Sequence, residues 1–203
     1  MDSAKLLSIP YDIYEQIFYH FKQSLKDTKY FKDINLRTGD GNIDCFTIRC
    51  NDYYVTNDMK RNNDYLVILE YLPEKVSKYC FHVTADPKTR KWGIANLIEQ
   101  IYYGNIRNHH WTLGRDCIAQ DNCKVWVRRY SNTTQYVEQE GNFTINIHNN
   151  GGFFNSSLGC TILADDKDFI SDYRPLLRRC TNRSYIPVCV IRDTLFEQYL
   201  NAL

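Results

Sequence analysis

The chain has 203 residues, 43% of them hydrophobic and 24% charged, with a formal net charge of +1 at pH 7. That length suits one medium domain with room for a small appendage. The even charge gives no field to draw in nucleic acid or an anionic membrane surface, and the basic pairs Arg128-Arg129 and Arg178-Arg179 are too local to change this, so no nucleic-acid partner is expected.

Met1-Asp2-Ser3-Ala4-Lys5 leads into no apolar run of signal-peptide length, so a cytoplasmic protein is expected, unless it is phage-encoded or reaches the envelope by another route. Residues 11–27 carry Tyr14, Ile17, Phe18, Phe21 and Leu25 at helical spacing, with Pro10 before the start and Asp12 in the first turn. Residues 1–35 therefore form an N-terminal helical segment packed on the core, and 36–203 form the main domain. From residue 43 strands dominate, at 43–50, 65–72, 78–84, 92–98, 123–130 and 143–148, separated by turn signals such as Pro73-Glu74, Asp86-Pro87 and Glu140-Gly141-Asn142. The longest apolar stretch, Leu66 to Leu72, is interrupted by Glu70 and is too short for a membrane span. Asp165 or Asp166 can cap a helix bearing Phe169, Ile170, Tyr173, Leu176 and Leu177, which Pro175 should kink. A short strand, Val188 to Ile191, precedes a closing helix from Asp193. The fold class is α+β, with a β-rich centre between N- and C-terminal helices.

The chemistry concentrates in 143–163. Phe143, Ile145 and Ile147 alternate with Thr144, Asn146 and His148, which puts His148 on the polar face at the end of a strand. Gly151 and Gly152 follow, and the chain returns through Ser156 and Ser157 to Gly159-Cys160 and the apolar run Thr161-Ile162-Leu163. A cysteine after a glycine at a loop-to-strand junction can present a thiolate on one side and backbone N–H donors on the other, the two features that acyl transfer requires. An ordinary thiol is only a few per cent ionised at neutral pH, and a neighbouring imidazole can take its proton. Of the eight cysteines, Cys45, Cys50, Cys80 and Cys189 sit in apolar strand patterns and read as inert buried thiols. No Cys-x-x-Cys pair occurs, and a metal site built from His148, Cys160 and His109 would lack a short chelating pair, so no metal is expected.

The pattern His-x-x-Gly, a short loop, then Ser-x-Gly-Cys resembles the signature of the L,D-transpeptidase (YkuD-like) family, at His148, Gly151, Ser157, Gly159 and Cys160. The segments 64–67, 82–87, 111–114 and 125–128 look like an uncharacterised bacterial and phage subgroup of it, so the resemblance covers about residues 40 to 175. It implies a central sheet or sandwich of L,D-transpeptidase type and peptidoglycan stem peptides as substrate. It implies Cys160 as nucleophile, His148 as base, and the carbonyl of Asn149 orienting the imidazole. Gly159, Ser157, Ser156, Gly151 and Gly152 would form the oxyanion loop, and His109, Trp111 and Arg115 are candidate substrate contacts. No cofactor is implied. The chain departs from the family pattern at Leu158, where most members have His, and at Thr161 and Ile162, where Asn or Arg is usual. A non-catalytic binding or structural module, such as a phage or secretion-system component, is the alternative.

Overall fold

The computed structural model describes residues 1–50, 63–85, 95–108, 115–121, 123–130, 135–149 and 159–203. Two helices, α1 (Ser3–Ser8) and α2 (Tyr11–Leu25), precede β1 (Ile43–Arg49), β2 (Asp64–Leu72) and β3 (Lys75–Thr84). After them come β4 (Ala95–Leu97), β5 (Gln100–Arg107), β6 (Cys117–Ala119), β7 (Val125–Tyr130), β8 (Tyr136–Gly141), β9 (Asn146–Asn149) and β10 (Thr161–Leu163). A helical run follows: a short turn α3 (Asp166–Asp168), a π-helical turn (Phe169–Tyr173) and α4 (Arg174–Arg179). The chain ends with β11 (Ile186–Arg192) and α5 (Asp193–Ala202).

The fold is α+β and rich in strands, and its main sheet closes on itself. Eight strands form a barrel in the order β1-β11-β5-β6-β9-β10-β3-β2, while β4, β7 and β8 make a separate three-stranded sheet. Two of its pairings are parallel, β9 with the next strand β10 and β1 with the distant β11, and the latter joins the two ends of the chain's strand order. Every barrel strand contributes to one apolar interior, from Ile43 on β1 through Ile118 and Ile147 to Val188 on β11.

The outer face of β1, β2 and β11 packs under α2 and α5. Phe46 lies edge-on to Tyr14 with ring centroids 5.2 Å apart, and Tyr14 meets Phe196 at 5.6 Å. With both faces covered, all seven residues of β1 are buried, so its sequence shows no clean alternation.

Several expected boundaries move. Strand β9 begins at Asn146 and not at 143, because the Gln120 side-chain oxygen accepts from the backbone N–H groups of Phe143 (2.9 Å) and Ile145 (3.1 Å). Between them Thr144 turns left-handed at φ 58°. The expected Pro175 kink takes the form of the π-turn just before α4. Proline lacks the N–H that would bond Ser171, and the wider i→i+5 turn relieves its ring against that carbonyl. Asp165 is the residue that caps, accepting from Lys167 N–H at 2.7 Å. Of the expected strand 92–98, residues 92–94 lie outside the described residues. Among the described residues no helix is long and apolar enough to cross a membrane.

Candidate functional site

The register of β9 on β10 builds the site. Thr161 pairs with Ile147, Ile162 with His148 and Leu163 with Asn149. Ile147 and Leu163 belong to the barrel interior, so alternation puts His148, Asn146 and Ile162 on the outer face. One step back along the ladder brings Cys160 beside Asn146, and there the Asn146 N–H donates to Cys160 Sγ at 3.5 Å. The thiol donates in turn to the Thr144 carbonyl at 3.6 Å, so the left-handed residue is the one whose oxygen meets the sulfur. Cys160, one residue before β10, thereby sits beside Asn146, diagonal to His148 two residues further along β9.

Gly159 allows that approach. Its φ is +136°, and a Cβ added there would stand 2.6 Å from the Ala95 carbonyl oxygen on β4, so no larger residue fits without displacing backbone.

His148 is 8% exposed and its Nδ1 lies 2.5 Å from the Asn149 carbonyl oxygen. A carbonyl only accepts, so Nδ1 carries a proton, and in the neutral imidazole that leaves the lone pair on Nε2, the tautomer a general base needs. The carbonyl of Asn149 thus fixes the orientation of the ring.

The same oxygen also accepts from Arg115 Nη1 at 2.7 Å, and Arg115 reaches Asn149 Oδ1 at 3.3 Å. Asn149 Nδ2 donates to Asp166 Oδ1 at 2.8 Å, and the Tyr173 hydroxyl donates to the Ile147 carbonyl at 2.8 Å. The end of β9 is thus pinned from two directions. Arg115, expected as a substrate contact, holds the residue whose carbonyl meets the imidazole. Beside it Asp116 is 3% exposed and takes Arg178 Nε at 2.8 Å and Arg174 Nε at 3.2 Å.

Burial pushes the Cys160 thiol above its ordinary pKa, while the N–H of Asn146 pulls it back. Burial raises Cys50, Cys80 and Cys117 further, each to about 12. At neutral pH Cys160 therefore rests as the thiol. All eight cysteines are thiols.

Ser156, Ser157, Gly151, Gly152, His109 and Trp111 lie outside the described residues. Among the described residues no group of three His, Cys, Asp or Glu could hold a metal ion.

Sequence reasoning missed Gln120. It is fully buried, and its Nε2 donates to the Cys123 and Gly141 carbonyls at 2.6 and 2.8 Å while its oxygen holds the turn that carries Thr144. The only hint was a polar residue directly after the apolar run Cys117-Ile118-Ala119. Comparison with family models, curated proteins and solved structures finds no match to this chain.

Proposed function

We propose that the chain performs cysteine-nucleophile acyl transfer on peptide amides, with peptidoglycan stem peptides as the substrate class that its L,D-transpeptidase-like motif implies. One observation carries the reading: the β9–β10 register sets Cys160 diagonal to a histidine whose Nδ1 is committed to the Asn149 carbonyl. In the reaction, Cys160 Sγ attacks the amide carbonyl as its proton passes to His148 Nε2. The backbone N–H of Cys160 steadies the oxyanion. Collapse expels the amine, which takes the proton from the imidazolium, and the thioester is then resolved by an amine (transpeptidation) or by water (carboxypeptidation). No cofactor enters. The raised thiol fits this order, because proton transfer then accompanies attack and does not precede it.

The same raised thiol, hydrogen-bonded to backbone, also favours a second reading, a non-catalytic module that keeps the scaffold. Incubation with muropeptides, read by mass, separates the two. The enzyme yields cross-linked or trimmed products, and Cys160→Ser lowers the rate by about 10³-fold or more with the fold intact. Unchanged muropeptides, together with iodoacetamide labelling of Cys160 no faster than of the other thiols, would leave only the module.

A further inference from the structure

Three non-glycine residues among those described have left-handed backbone: Thr144, Asp121 (φ 44°) and Tyr185 (φ 60°). Such strain persists only where the surroundings enforce it, and it collects at working sites. Thr144 belongs to the Cys160 site. The other two flank a cleft of about 450 Å³ lined by Tyr103, Asn105, Arg107, Cys123, Ser184 and Tyr185.

Tyr185 is 60% exposed, and its ring stands edge-on to Tyr103 with centroids 5.5 Å apart and planes at 84°. Asn105 Oδ1 accepts from the Tyr185 N–H at 3.0 Å, which fixes the left-handed residue and so the position of its ring. Asp121 Oδ2 accepts from Arg107 Nε at 2.5 Å and from Asn105 Nδ2 at 3.3 Å. The chain thus strains its backbone twice to hold a wet aromatic ring beside an amide, a guanidinium and a carboxylate.

The chemistry of the lining selects a ligand class. Arg107 and Asp121 cancel, so the cleft has no net charge to favour an anion or a cation. Asn105 spends one N–H and one lone pair within the protein, and a carboxamide has one more of each; Arg107 spends one of five donors, and Ser184 adds a hydroxyl. Donors and acceptors at the edge, an aromatic ring to cover an apolar face and neutrality overall match a ring with hydroxyls around its rim and C–H bonds on its faces.

We propose that this cleft binds a neutral saccharide ring. It lies apart from the thiol. Cys160 neighbours Asn146, which pairs with Ala119, which pairs with Asn105, so three strand spacings of roughly 4.8 Å separate them. Binding here does not depend on any chemistry at Cys160.

The test is an amide NMR titration of the whole chain with the β-1,4-linked tetramer of N-acetylglucosamine and, in parallel, with trialanine. The saccharide should shift the amides of 103–107, 121 and 184–186, and trialanine should not. Tyr185→Phe keeps the binding, whereas Tyr185→Gly weakens it about tenfold or more. Tyr185→Gly should not lower the melting temperature, since glycine suits φ 60°, so a loss of binding cannot be put down to unfolding. Cys160→Ser should bind as the unaltered chain does, even if that chain turns over no muropeptide. No saccharide shift at millimolar concentration, equal binding by Tyr185→Gly, or a preference for trialanine would each overturn the proposal.

Discussion

The barrel has two kinds of buried outer face. Over β1, β2 and β11 the face is Phe46, Ile48, Val67, Leu69, Cys189 and Ile191, sealed by α2 and α5. Over β6 and β9 it is Cys117, Ala119, Asn146 and His148, no more exposed than 8%, and half polar. Apolar burial asks only for volume and shape, and two amphipathic helices supply both. Polar burial requires a partner for each donor and acceptor, and the chain answers with Gln120, Arg115 and Asp166, at the cost of a strained Thr144. Local rules kept on one face and broken on the other are the mark of a face shaped for something besides stability.

If that contrast is right, substitutions on the two faces fail in different ways. The largest stability effect belongs to the helix-covered side. Phe46→Ala leaves a hole against Tyr14 and Phe18 and should cost about 3–5 kcal/mol in chemical denaturation, with no change in Cys160 labelling of the folded fraction. A loss below about 1 kcal/mol would mean that the helices rest on the barrel without closing it.

The helix-covered face holds one buried charge that tests the rule from inside. Asp44 is fully buried, and burial, with the Glu15 carboxylate adding, raises its pKa to about 7 against hydrogen bonds from the Arg37 N–H and the Tyr71 hydroxyl. The folded state then holds a proton that the unfolded state releases near pH 4, so this group makes stability fall as pH rises from about 4 to about 7. Other carboxylates run the opposite way. Glu138 sits at about 2, where the Lys29, Tyr30 and Arg128 side chains outweigh its desolvation. The readout is accordingly a difference. Asp44→Asn, which mimics the protonated acid, should match the unaltered chain near pH 4 and exceed it by a few kcal/mol above pH 7. Parallel stability curves would place an ionised carboxylate there at no cost.

On the polar face the next effect is kinetic. Arg115→Ala frees the Asn149 carbonyl from one of its two donors and lets the imidazole drift, which should lower kcat/KM on any competent amide by up to about 10²-fold. The melting temperature should scarcely move. A positioning role also predicts partial rescue by Arg115→Lys and an altered pH–rate profile, which a merely structural loss does not produce.

Legibility followed the same division. Helix α2 and strands β1 and β2 were readable because apolar residues recur at 3.6 spacing in one and run continuously in the others. Strand β5 was missed because Gly104 interrupts its pattern; the glycine is there because a Cβ would stand 2.4 Å from Ile118 Cγ2 across the ladder. Strand β6 has only three residues, and β8, Tyr-Val-Glu-Gln-Glu-Gly, is too exposed and charged to read as a strand. Barrel closure rests on Cys45 meeting Val188, a pairing with no local signature. At the site, His148 and Gly159-Cys160 stood out as residue types in a suggestive order. The parallel register that sets them diagonally, and the Gln120 clamp beneath, are long-range facts that one residue in a sequence does not announce.

The smallest effect is the sharpest test of what Thr144 costs and what it does. A β-branched residue at φ 58° carries strain of about 1–3 kcal/mol, and glycine would remove it while adding about 1 kcal/mol of chain entropy to the unfolded state. Thr144→Gly should therefore leave stability unchanged or raise it by about 1 kcal/mol, an unusual outcome for glycine beside a buried residue, Ile145. The carbonyl that accepts the Cys160 S–H belongs to the backbone and survives the substitution, but the turn that aims it becomes looser. Iodoacetamide labelling of Cys160 should rise relative to Cys123 as the thiol loses its fixed acceptor. A Thr144→Gly chain that is less stable, with Cys160 reactivity untouched, would show that the left-handed turn serves packing alone, and the polar face would lose its strongest sign of being built around the sulfur.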